Sequence, residues 1–80
     1  MDELTREEIV RQRNMDFLIT FTSEAGKRVL EYLSKYCLEN NPTFVEQSER
    51  KTSFNEGARA VILEIRRWLN MNIDKVLGKE

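Results

Sequence analysis

The stretch TSFNEGARAVILEIRRWL, residues 52–69, contains the strongest fold signal in the chain. Its second half has apolar residues at steps of three and four, which is the pattern of one buried face of an α-helix. In its first half, Ser53 and Glu56 have the spacing of a capping box, which satisfies free backbone N–H groups at a helix start. We therefore predict a helix that begins at Ser53.

The same apolar spacing continues beyond residue 69 towards Gly78, a residue type that commonly follows the end of a helix. Such a helix would be about 20 residues or roughly 30 Å long, which is longer than its neighbours. We expect its C-terminal end to overhang them unless that end packs on something else, and an overhang would favour self-association or a partner contact. Its apolar positions are Ala58, Val61, Ile62, Ile65, Leu69, Ile73 and Val76, and the overhang would expose Met71, Ile73, Val76 and Leu77.

Two further helices are predicted before this one. The first begins at Thr5, which forms a capping box with Glu8, and extends to about residue 19 or 20. The second is capped by Thr22 or Ser23 and ends in the sequence ENNP, residues 39–42, because the residue before a proline leaves the helical region. The pattern of the second helix predicts one core-facing surface, formed by Ala25, Val29, Leu30, Leu33, Tyr36 and Cys37.

Residues 41–52 form the one substantial predicted loop, and Phe44 and Val45 are apolar within it. One interpretation is that both side chains fold back and cover the end of the core. The alternative is that they contact a partner. The sequence favours the first interpretation and leaves the second open.

Length and composition place the chain in a narrow class. Residues 1–80 are predicted to form one all-α domain, a small three-helix domain with a long loop between helices two and three. The chain has a single cysteine, Cys37, and no histidine, so neither an internal disulfide nor an ordinary zinc site is expected. No apolar run approaches the roughly 20 residues needed to span a bilayer, and the acidic N-terminus is not a signal peptide. We expect a protein without membrane association.

The chemistry-bearing residues do not form a catalytic pattern. Without histidine, a serine or cysteine nucleophile lacks its usual base, and NEGAR, residues 55–59, is too short for a phosphate-binding loop. We expect no enzymatic activity and no cofactor. Arg66 and Arg67 could contact phosphates beside a stacking Trp68. Because thirteen basic residues face fourteen acidic ones, the sequence predicts against nucleic acid as a partner.

Glycines lie in the predicted first turns of helices two and three. Gly26 and Gly57 each cost about 1 kcal/mol relative to alanine inside a helix, and less at its end. We interpret both as places where another backbone approaches closely. This interpretation predicts that Gly57→Leu destabilises the fold more than Gly78→Ala does.

These residues carry a family resemblance. The sequences FTSEAGKRVLEYL (21–33) and TSFNEGARAV (52–61), together with Cys37 and Phe44, resemble the small helical Bbp19-like domain of tailed phages. The resemblance covers about residues 21–61. It implies a phage-encoded helical protein that is associated with structural genes, and hence with head or connector assembly. It provides no catalytic residue to transfer to this chain.

The predicted function is therefore that of a non-enzymatic phage interaction protein, a small virion or head/connector assembly component. The alternative is an inhibitor that binds a host enzyme or defence complex. Its partner would be a phage structural protein or a host protein, with a homo-oligomer as a further option. The protein would act in the host cytoplasm or be incorporated in the virion. The predicted partner-binding residues are Phe44, Arg59, Arg66, Trp68, Met71 and Leu77.

Overall fold

A computed structural model describes residues 4–79 as an all-α fold of three long helices and one short one. The helices are α1 (Arg6–Thr22), α2 (Glu24–Tyr36), α3 (Glu49–Asn70) and α4 (Ile73–Val76). The predicted fold class is confirmed, including the gap between the second and third helices. Within the part of the chain that is described, no helix is both long and apolar enough to cross a membrane.

The start of α1 is the predicted one. The Thr5 hydroxyl oxygen accepts a hydrogen bond of 3.1 Å from the backbone N–H of Glu8 and donates one of 3.0 Å to the Glu8 carboxylate. The helix continues to Thr22, two residues beyond its predicted end. Ser23 then separates α1 from α2 and caps α2, because its hydroxyl oxygen accepts from the backbone N–H of Gly26.

Gly26 lies at a close approach between α2 and the last turn of α1. A Cβ atom at this position would overlap the backbone carbonyl of Thr20 in the last turn of α1. The prediction of a close backbone approach is therefore confirmed at Gly26. It is wrong at Gly57, where a Cβ atom would have no neighbour within 4 Å. Gly78 has a φ of +73°, a backbone conformation that favours glycine over alanine. The structure therefore gives no reason for Gly57→Leu to destabilise the fold more than Gly78→Ala does.

Helix α2 ends at Tyr36, before the asparagines and the proline that were predicted to end it. The backbone N–H of Leu38 donates to the carbonyl of Lys35, and that of Glu39 donates to the carbonyl of Ser34. This pair of bonds is a Schellman motif, which requires a left-handed residue after the cap. Here that residue is Leu38, with a φ of 57°, and not an asparagine.

Helix α3 begins at Glu49, four residues before the predicted Ser53 start. Ser48 is the cap, and its hydroxyl oxygen accepts from the backbone N–H of Lys51 at 3.2 Å. The extra turn is tied to the preceding loop, because the backbone N–H of Val45 donates to Thr52 Oγ1 at 2.8 Å. Residues 49–52 are therefore helical, and the loop is shorter at its C-terminal end than predicted.

The predicted overhang is wrong. Helix α3 ends at Asn70, and after two extended residues the chain forms α4, which packs against α1. Arg11 on α1 forms an ion pair of 3.0 Å with Asp74 on α4. Gly78 does follow a helix end, but that of α4: its N–H donates to the Lys75 carbonyl within a second Schellman motif.

The hydrophobic core is small and centres on Ile62, the only described side chain that is fully buried. Leu30 of α2 and Cys37, which caps the end of α2, pack against it, as predicted. Tyr36, Val29 and Ala25 were predicted to share this core-facing surface and are instead exposed, because the neighbouring helices cover only part of the apolar arc of α2. Partly buried residues around the core are Phe21, Leu33, Ala58, Ile65 and Leu69.

Candidate protein-binding surface

The six predicted partner-binding residues do not lie on one surface. Two of them, Arg66 and Trp68, are engaged within the fold. Met71 and Leu77 are half-buried beside α4, at the opposite end of α3 from the loop. Arg59 and Phe44 are exposed, and of the six they are the two whose side chains remain accessible to a partner, as the sequence predicted.

Trp68 is only 6% exposed and lies between α1 and α3. Its indole ring stacks on Phe17 with a centroid distance of 5.8 Å, and the guanidinium groups of Arg13 and Arg67 lie over it at 5.5 and 5.2 Å. The indole N–H donates to Glu64 at 2.9 Å. A ring that is held in this way has no free face on which a nucleic acid base could stack.

Arg66 is bound to Glu39, which follows the end of α2. Two hydrogen bonds of 3.0 and 3.1 Å join the guanidinium group to the carboxylate, which also accepts a bond of 2.6 Å from the Ser34 hydroxyl. The Glu39 side chain is 12% exposed. The hydrogen bonds from Arg66, and then from Ser34, hold the pKa of Glu39 below its ordinary value of 4.5. This pair fixes the start of the loop against α3.

We expect Glu39→Gln to remove a pH-dependent part of the stability. Because the pKa of Glu39 is lowered by folding, its contribution is fully present above pH 4.5 and is lost as the pH falls through the folded-state pKa. The variant should lose about 1–2 kcal/mol of unfolding free energy at pH 7. That difference should shrink below pH 4.5.

Urea denaturation of the wild type and the variant at neutral and acidic pH measures this effect. Glu46→Gln, which changes an exposed loop carboxylate, is the matched control and should leave the stability nearly unchanged at both values. An equal difference between wild type and Glu39→Gln at every pH would contradict the assignment.

The loop end of the molecule, residues 43–55, carries the most exposed aromatic side chains. The loop backbone is held by α3, because the Asn55 side-chain amide donates to the Thr43 carbonyl at 3.1 Å. Phe44, between the two tied segments, is exposed and lines a groove of about 600 Å³. The interpretation that Phe44 covers the core is therefore wrong, and the partner-contact interpretation remains.

An apolar face of α3 was not predicted as exposed. Phe54 and Val61 are 73% and 59% exposed and lie two turns apart, with Gly57 between them at the i+3 position. We name these three residues the α3 patch. The sequence did not predict this patch, because Phe54 lies between the capping-box residues Ser53 and Glu56 and Val61 was assigned to the buried face of the helix. The spacing of Phe54, Val61 and Ile65 could have revealed it.

Among residues 4–79, no group of three or more acidic or cysteine side chains is positioned to hold a metal ion. Every buried side-chain nitrogen and oxygen atom in the same range has a hydrogen-bond partner. The ion pairs are likewise formed within the fold, as between Lys79 and Glu7 at 3.0 Å. The surface thus presents exposed apolar groups together with charges, some of which are paired within the fold.

A family model for Bbp19-like phage proteins matches residues 17–77, which is most of the chain. The chain belongs to the Bbp19-like phage protein family. No curated protein and no solved structure matches the sequence. The Bbp19-like match extends the resemblance seen in the sequence at both ends, so that it includes Phe17, Trp68 and α4.

The residues that carry the Bbp19-like resemblance have two different environments. Gly26 and Leu30 are buried at the contacts of α2, and the Asn55 side chain anchors the loop. These positions build the frame of the fold. The remaining matched positions on the loop and α3 are exposed: Phe44, Phe54, Glu56, Gly57 and Arg59. The Bbp19-like motif around NEGAR therefore includes a surface as well as a frame.

Proposed function

We propose that this phage protein is a non-enzymatic interaction protein that serves as a small virion or head/connector assembly component. Its membership in a phage protein family supports the phage setting. The α3 patch supports the mode of action, since large apolar side chains that stay exposed beside one another are typical of protein-binding surfaces. The proposal rests chiefly on Gly57 within that patch, because a Cβ atom at this position would have no neighbour within 4 Å.

Gly57 is not required by the packing of the chain itself. It lies inside α3, where glycine costs about 1 kcal/mol relative to alanine, and a Cβ atom would meet nothing. Phe54 and Val61 stand on either side of it. A glycine between two protruding apolar side chains forms a depression into which the backbone or a side chain of another protein fits. A partner contact therefore accounts for a residue that the fold does not need.

Arg59 offers a second contact on the loop side of α3. It is exposed, and its charge helps to lower the pKa of Glu39, although Glu39 forms its ion pair with Arg66 and not with Arg59. It lies one turn after Asn55, on the side of α3 that holds the loop. A partner with an acidic group beside an apolar one would engage Arg59 together with Phe44.

Gly57→Leu tests the proposal without disturbing the fold. Because the site is open, the variant should be at least as stable as wild type. A leucine side chain in the depression should nevertheless weaken partner binding by about tenfold or more, as central interface substitutions do. The readout is a tagged pull-down from phage-infected cells, combined with mass spectrometry of purified particles.

Leu63→Ser is the matched control, because Leu63 is an exposed apolar residue on the opposite side of α3 and should leave binding unchanged. Recovery of wild type with portal, scaffold or capsid proteins, at a fixed copy number per particle, supports the proposal. Absence of the protein from particles and from assembly intermediates would contradict the proposal. Recovery with a host enzyme in place of phage proteins would instead identify a host-directed inhibitor.

A further inference from the structure

Helix α2 has two apolar faces, and only one of them enters the core. Gly26, Leu30 and Cys37 are buried on the first face. The second face is exposed along the whole helix and has the 4–3–4 spacing of a coiled-coil seam. We name it the α2 stripe: Ala25, Val29, Tyr32 and Tyr36.

The α2 stripe is apolar and preorganised. Val29, Tyr32 and Tyr36 are 51%, 66% and 69% exposed. The two tyrosine rings already stack on each other, with a centroid distance of 6.1 Å and an interplanar angle of 16°. Stacked rings on a helix lose little conformational entropy when they are covered, which favours association.

The molecule has spare surface for an interface. Its radius of gyration is 16.0 Å, compared with about 11.6 Å for a compact chain of this length. Its accessible surface is 6594 Å², whereas a compact monomer of this mass exposes about 5,000 Å². The excess of roughly 1,500 Å² exceeds the approximately 800 Å² that each partner buries in a standard interface.

The charges beside the α2 stripe indicate which partner would bind to it. Glu24, Arg28, Glu31 and Lys35 alternate in sign along one flank, and neighbouring members form ion pairs of 3.8 and 3.7 Å. Along the helix the signs are negative, positive, negative and positive. When the helix is reversed, each position carries the opposite sign. A second copy that runs antiparallel therefore opposes Glu24 with Lys35 and Arg28 with Glu31 across a two-fold axis. In a parallel pair this flank would instead face the other flank of the partner helix, which carries Gly26, Leu30 and Leu33, so the charges would gain no complementary partner.

We infer that two copies of this chain pair antiparallel through the α2 stripe. The pair is centred so that Val29 faces Tyr32 and Ala25 faces Tyr36, and a smaller side chain meets a larger one in each layer. In this register the opposite charges lie about 3 Å from the same level along the helix axis, a displacement that long charged side chains can span. The contact is isologous, and so it closes at two copies. It leaves the α3 patch outside the pairing helices, where a different partner can bind.

Sedimentation equilibrium of the purified chain tests the pairing. As the concentration is raised to about 0.1 mM, the wild type should reach twice the monomer mass of 9.5 kDa. Tyr32→Glu places two like charges near the two-fold axis and should weaken dimerisation about 100-fold or more. Leu63→Glu makes the same change on α3 and should leave the dimer intact. A wild-type monomer over this range would overturn the inference.

Cysteine cross-linking tests the direction of the pair. A mixture of Ala25→Cys and Tyr36→Cys chains should form a disulfide dimer, whereas neither variant should do so alone. Self-cross-linking of Tyr36→Cys would indicate a parallel pair and overturn the antiparallel arrangement. Wild type controls for Cys37, which is buried. Both experiments use the chain alone, so their failure leaves the proposed binding at the α3 patch untouched.

Discussion

Trp68→Ala should destabilise the protein by about 3–5 kcal/mol, which is a large part of the stability expected for a domain of this size. Trp68 is 6% exposed and joins α1 to α3, so its removal leaves a cavity between the two helices. The substitution also removes the face on which Phe17 stacks and the indole donor to Glu64. Three separate stabilising contacts are lost at once.

Thermal unfolding followed by far-ultraviolet circular dichroism measures this loss, because Trp68 is the only tryptophan and its removal abolishes the fluorescence signal. A loss of about 3 kcal/mol corresponds to a fall in Tm of at least about 12 °C. Phe54→Ala, which truncates an exposed aromatic residue, is the control and should change the stability by about 0.5 kcal/mol or less. Similar Tm values for the two variants would show that Trp68 is not a structural joint.

Capping residues predicted the existence of each long helix but only some of the ends. Thr5 caps α1 as predicted, and of the two predicted caps of α2, Thr22 and Ser23, Ser23 is the one that caps it. Ser53 does not cap α3, since α3 gains an extra turn that Thr52 and Asn55 tie to the loop. Such tertiary hydrogen bonds are not visible in local sequence spacing.

The break after α3 had a sequence signal that the apolar periodicity concealed. Asn72 caps α4 by accepting from the backbone N–H of Lys75 at 3.2 Å. Asparagine is a strong cap residue, so Asn70 and Asn72 together mark a helix boundary. The steps of three and four continue across this boundary because α4 packs against α1, which partly covers Ile73 and leaves Val76 exposed. Apolar periodicity therefore does not by itself report the continuity of a helix.

The candidate surface was predictable only in part, because the sequence gives the apolar arc of a helix but not how much of it its neighbours cover. Phe44 was one of the predicted partner-binding residues, although the favoured interpretation had its side chain cover the core, and the structure leaves it exposed. Trp68 was also predicted to bind a partner, and α1 covers it. Phe54 and Val61 lie on the same side of α3 as Ile65, where the covering by the other helices is incomplete.

Gly26→Ala should destabilise the protein by about 3 kcal/mol, although the same change inside a helix is usually favourable. The added Cβ atom would overlap the backbone carbonyl of Thr20, which cannot rotate away as a flexible side chain could. The junction of α1 and α2 would have to open, and the packing of Leu30 against the core would be disturbed with it. Urea denaturation at neutral pH measures the cost.

Gly57→Ala is the matched control for this prediction, because both glycines are helical but only Gly26 is confined. Gly57→Ala should stabilise the protein by about 0.5–1 kcal/mol, so the two substitutions have opposite signs. The midpoint of unfolding should move in opposite directions while the m-value stays the same. If Gly26→Ala were also stabilising, the close approach of α1 to α2 would be excluded, and Gly26 would then be no more constrained than Gly57.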